Sequence, residues 1–165
     1  MGEEGAGGFQ SYVILVATVA GLVGTLAAGA SLKKFTKKQI VYGASAIIAL
    51  AALVFAFTHS KEMVLVLAFL FGAGWGAFQA VDWALAVNLL PSGGAAKYMA
   101  VWHVCMTVPQ IIAPLFGKVA DIINKSNGGG LGWRAAMLST VIYLAIGTAL
   151  LTKVRERSTS SLADA

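Results

Sequence analysis

Residues 63–90 read MVLVLAFLFGAGWGAFQAVDWALAVNLL, an apolar run whose one ionisable side chain is Asp82. A spanning helix needs roughly 20 predominantly apolar residues, so this run is long enough to cross a bilayer. A carboxylate in hydrocarbon costs at least about 2.5–3.5 kcal/mol on insertion scales and is tolerated where protein or water surrounds it. Asp82 is therefore the first candidate for a substrate or proton role. The plainer reading is an acid hydrogen-bonded to a neighbouring helix. At about 100° per residue, Trp75, Gln79, Asp82 and Ala86 share one stripe, which should face away from lipid.

Four more runs of spanning length flank this one, giving expected helices I to V over residues 9–32, 40–58, 63–90, 99–123 and 133–152. Hydrophobic residues make up 58% of the 165-residue chain and charged residues only 12%, against about 25% charged in a soluble domain. The predicted class is all-α, a polytopic membrane bundle of five transmembrane helices. Residues 1–8 read as a polar lead, residues 9–157 as the transmembrane domain and residues 158–165 as a disordered tail. The connectors are short, so successive helices should be antiparallel neighbours.

The basic residues between the helices orient the chain. Lys33, Lys34, Lys37, Lys38, Lys97, Lys153, Arg155 and Arg157 fall on one side, and Lys61, Lys125 and Arg134 on the other. The positive-inside rule makes the richer side cytoplasmic, which predicts a multi-pass cell-membrane protein with an external N-terminus and a cytoplasmic C-terminus. The net charge of +5 comes without an arginine-rich helix or basic-aromatic interleaving, so no nucleic-acid partner is expected. The lone Cys105 excludes an intrachain disulfide and reads as a packing residue. One histidine within the spans and no paired acids at ligand spacing argue against an enzyme or a metal site, and no cofactor is expected.

Helix I carries Ala17, Gly21, Thr25 and Gly29 at four-residue spacing, which lets two helix backbones approach closely. Gly72, Gly74 and Gly76 lie inside an apolar helix instead of between a strand and a helix, so they too read as packing and not as a nucleotide loop. In helix IV, His103, Thr107, Gln110, Pro114 and Asp121 recur on one side, and Pro109 and Pro114 should kink the helix and free carbonyls beside Gln110. Helices II and V carry no charge within their spans. The expected arrangement has III and IV lining a polar cavity while II and V face lipid. His103 reads equally as an interfacial residue beside Trp102. Lys118 and Asp121 read either as an i, i+3 pair with a snorkelling lysine or as an external gate.

The first cytoplasmic loop, Gly29-Ala30-Ser31-Leu32-Lys33-Lys34-Phe35-Thr36-Lys37-Lys38, resembles the major facilitator loop motif Gly-x-Leu-x-Asp-Arg-x-Gly-Arg-Arg. The glycine and three basic positions match. Lys33 replaces the motif's acid and Thr36 its second glycine. The segment Trp102-His103-Val104-Cys105-Met106-Thr107-Val108-Pro109-Gln110 is similar to the Pro-Gln helix of the sugar-cation symporter branch, which includes the sucrose transporters, and Pro91 closes helix III on the cytoplasmic side. Aligned this way, helices I to V resemble helices eight to twelve of the twelve-helix fold.

The resemblance implies an incomplete major-facilitator half, with the tenth helix on a central cavity and the eleventh at the interface between halves. It implies secondary transport of a small polar solute, sugar among the candidates, by alternating access, with energy from a solute gradient or from a proton gradient. The expected partners are the lipid bilayer, the solute and the transporter's missing N-terminal half. Trp75, Gln79, Asp82, His103, Thr107 and Gln110 are the candidate cavity residues, with Asp82 also the proton carrier. The rival expectation is a complete five-helix scaffold or oligomeric membrane protein.

Overall fold

The structure is a computed structural model and describes residues 3–89, 95–127 and 129–154, with side chains from residue 7 onward and, in the fourth helix, from residue 96. Pro91, Arg155, Arg157 and the tail 158–165 lie outside the described residues. Among the described residues there are five helices: α1 (Glu3–Ser31), α2 (Lys37–Phe55), α3 (Lys61–Leu89), α4 (Ala95–Asn127) and α5 (Leu131–Leu151). Each is long and apolar enough to cross a membrane. Their ends run past the apolar cores because backbone hydrogen bonding continues into the polar flanks. Thus α1 takes in Glu3 to Gly8, read above as the polar lead, although Gly5, Gly7 and Gly8 each disfavour helix by about 1 kcal/mol relative to Ala.

Local chemistry sets the turns. Thr36 caps α2 in a reciprocal box: Gln39 N donates to Thr36 Oγ1 at 3.3 Å, and Thr36 N donates to Gln39 Oε1 at 3.0 Å. The position of the loop motif's second glycine thus serves here as a helix start. Gly129 and Gly130 carry φ of 66° and 73°, a left-handed pair that turns the chain from α4 into α5. Pro109 and Pro114 remain inside one continuous α4.

Packing is centred on α3, which lies against α1 and, less extensively, α2; α5 packs against both α4 and α2. The small-residue stripe of α1 meets the α3 glycines backbone to backbone. A Cβ added at Gly72 would stand 2.8 Å from Ala17 Cα, and one at Gly76 would stand 2.8 Å from Gly21 Cα. Gly24 approaches Ala73 equally closely, and Thr25 Oγ1 donates to the Gly76 carbonyl at 3.1 Å. In a solvent as apolar as Leu, such close van der Waals contact and interhelical hydrogen bonds hold helices together. Gly29, at the end of the stripe, has open space around it.

Two expectations are corrected. Successive helices are not all neighbours: among the described residues α2–α3 and α4–α5 pack extensively, whereas α1–α2 and α3–α4 do not, because α3 lies against α1 and α5 against α2. Helices II and V do not simply face lipid: α2 buries Val41, Ala44, Ser45, Ile48, Ala51 and Ala52, and α2 and α5 together enclose space against α3. Absence of charge says that a helix can face lipid, whereas small side chains on one face let it pack inward instead.

Candidate functional site

Asp82 lies seven residues before the end of α3, about 10 Å along the axis from that end. Its carboxylate lines an open cavity of about 460 Å³ whose other walls are Val41 and Ser45 of α2, Phe78 of α3, and Thr140, Tyr143 and Thr148 of α5. Among the described residues it has no hydrogen-bond or ion-pair partner. The cavity offers hydroxyls from Ser45, Thr140, Tyr143 and Thr148 around a single acid, on otherwise apolar walls. That set can hold a proton or accept and donate hydrogen bonds to a small polar guest.

Above Asp82 the same face of α3 carries aromatic rings at spacings of four and three. Phe71 and Trp75 are nearly parallel with centroids 6.4 Å apart, and Trp75 and Phe78 follow at 6.1 Å and 15°. Phe78 belongs to the Asp82 cavity. Phe71 belongs to a second, almost wholly apolar cavity of about 330 Å³ towards the opposite membrane face, and Thr140 lines both. Trp75 stays 48% exposed, on the surface of the bundle.

The remaining sequence candidates are placed separately. Gln79 is about 60° around the helix from Asp82 and half-buried, with its Oε1 buried and unpartnered among the described residues. Trp83 turns towards α4, where it meets Trp102 edge-on at 6.2 Å and His103 at 5.9 Å. His103 thus comes near α3 through Trp83, not beside Asp82. Trp102 Nε1 is likewise buried without a partner among the described residues. Thr107 and Gln110 are exposed along α4, on a face that no described helix covers. Lys118 and Asp121 are exposed near the far end of α4 and form no ion pair with each other.

The loop lysines divide into two pairs. Lys37 Nζ donates to the Ala84 carbonyl of α3 at 3.4 Å, and Lys38 Nζ donates to the Val154 carbonyl just beyond α5. The Lys38 cation there suits the negative end of α5. Lys33 and Lys34 are exposed. At the other membrane face the Arg134 guanidinium donates to His59 Nε2 at 3.2 Å, tying the start of α5 to the α2–α3 connection. Among the described residues no three His, Cys, Asp or Glu side chains gather as a metal site would need.

Ser45, Thr140, Tyr143 and Thr148 are the cavity residues that the sequence pattern missed. The available signal was modest: hydroxyls at helical spacing in spans with no charge.

The sequence model of the family described as Major Facilitator Superfamily matches residues 3–165. No curated protein and no solved structure matches the chain.

Proposed function

The chain belongs to the Major Facilitator Superfamily, a family of membrane transporters, and from that premise we propose that it serves secondary transport of a small polar solute by alternating access. In this reading Asp82 is the coupling group, exchanging a proton within the α2–α3–α5 cavity. Solute contacts come from Gln79 and from the uncovered polar face of α4, with His103, Thr107 and Gln110. Trp75 offers an exposed aromatic surface for a sugar ring. A further helical wall, from the transporter's other half, completes the solute site opposite α4.

The observation that carries the reading is the unpartnered Asp82 carboxylate on a hydroxyl-lined cavity inside a membrane helix bundle. Proton coupling and a sugar substrate draw their support from that chemistry and from the Pro-Gln segment of α4. The test uses the full-length transporter in proteoliposomes with a trapped pH dye, challenged in turn with a panel of mono- and disaccharides. Asp82→Asn should reduce solute-dependent proton entry by about tenfold or more, equivalent to at least about 1.4 kcal/mol, while solute exchange at equal pH persists. Proton entry at the wild-type rate in the Asn variant would remove Asp82 from coupling.

A further inference from the structure

An open groove of about 360 Å³ begins under the α1–α2 loop and runs down between those two helices, with α3 as its floor. Ser31, Phe35 and Gln39 form its mouth. Gly24 and Ile47 mark its depth, seven and eight residues along α1 and α2, or about 10–12 Å at the helical rise. That reaches most of the way through one hydrocarbon leaflet of about 15 Å. Below the mouth the walls are glycine, alanine and isoleucine, with no ionisable side chain.

At the mouth the chemistry changes. Lys33 and Lys34 are exposed and, among the described residues, their side chains have no hydrogen-bond or ion-pair partner, in contrast to those of Lys37 and Lys38 with their carbonyls. The loop residues 29–38 hold four lysines and no acid. Leu32 and Phe35 flank the two exposed lysines and are themselves 39% and 55% exposed. Lys33 and Lys34 thus belong to the turn between Ser31 and Phe35, two residues of the mouth, which the Phe35 N to Ser31 O hydrogen bond closes, and the apolar slot begins at that turn. Clusters of lysine beside a membrane helix attract anionic lipid.

We propose that the groove binds one acyl chain of an anionic phospholipid, with Lys33 and Lys34 engaging its phosphate headgroup. Charge complementarity selects the occupant: a neutral protein helix would leave both lysines unpaired, and a zwitterionic lipid would repay them poorly. The site is separate from the Asp82 cavity, and its test does not depend on transport.

The full-length protein, purified in detergent, is mixed with equal amounts of phosphatidylglycerol and phosphatidylcholine, and retained lipid is counted by native mass spectrometry. Phosphatidylglycerol should be retained preferentially, by about 5-fold for each lysine engaged. Lys33→Gln with Lys34→Gln should bring the ratio close to one. Gly43→Leu should lower phosphatidylglycerol retention with the lysines intact, because a Cβ at Gly43 meets nothing within 4 Å and the new side chain fills the groove without displacing protein. Its melting temperature should stay with the wild type. Equal retention of the two lipids would overturn the proposal, as would a preference untouched by Gly43→Leu or displacement of phosphatidylglycerol by equimolar glycerol phosphate. So would a photo-crosslinker at position 43 that captures a helix of the protein instead of lipid.

Discussion

The pair α1–α3 and the helix α4 are built from similar apolar sequence and end in opposite situations. In the first, glycines at 21, 24, 72 and 76 bring two backbones into contact along several turns. In the second, 33 residues of helix are held near their ends: by Ala120 against Gly132 of α5 at one, and by the Trp83–Trp102–His103 ring cluster at the other. Closely packed backbone makes a fixed frame. A helix gripped at two points leaves its polar middle, Thr107 and Gln110, uncovered by any described helix. The difference separates two closely packed helices from a helix with an uncovered polar face within one small bundle.

The largest expected effect comes from breaking the frame. Gly72→Leu or Gly76→Leu puts a side chain where Ala17 or Gly21 backbone stands, so the helices must separate, at a cost above the about 1–3 kcal/mol typical of overpacking. Such variants should fail to yield a monodisperse peak in size-exclusion chromatography. Gly117→Leu on α4, where an added Cβ meets nothing within 4 Å, should purify and melt like the wild type. Equal damage from both substitutions would erase the contrast between the packed pair and the uncovered helix.

Next is the grip on α4. Gly132→Leu collides with the Ala120 backbone and should detach α4 from α5 while leaving α1–α3 intact. Cysteines introduced for distance measurement, with Cys105→Ser, should then show α4 moving against α5 and no change between α1 and α3. Motion in both pairs would mean that the two regions are not independent.

How far this division was legible in the sequence depends on the kind of signal. Five spans of membrane length, and the close-packing stripe of Ala17, Gly21 and Thr25, follow from composition and four-residue spacing alone. Asp82 stands out because a charge in hydrocarbon is costly. Which helices surround it was not legible, since periodicity assigns a residue to a face of its own helix and says nothing about the neighbour across from it. Helix II carries Ser45 and helix V carries Thr140, Tyr143 and Thr148, hydroxyls too common in membrane helices to mark a cavity. Trp83 illustrates the same limit: one position from Asp82, it is turned about 100° away and meets α4.

Lys37→Gln removes a charge-assisted donor from the Ala84 carbonyl, a bond worth about 1.5–3 kcal/mol when buried and less at this partly buried position. It should lower the melting temperature by a few degrees at low salt, with a smaller difference at high salt as screening weakens the interaction. Thr25→Val deletes the interhelical bond to the Gly76 carbonyl and should cost about 0.6 kcal/mol in a denaturation titration. A larger loss than that of Lys37→Gln would reverse the expected order.

Asp82 faces the cavity bounded by α2 and α5, and not the polar face of α4. A short bifunctional thiol reagent tests it directly in the Cys105→Ser background, with Asp82→Cys paired in turn with Thr148→Cys of α5 and Thr107→Cys of α4. Efficient crosslinking of 82 to 148 with little of 82 to 107 is the predicted result. Efficient crosslinking of 82 to 107, with none to 148, would contradict it.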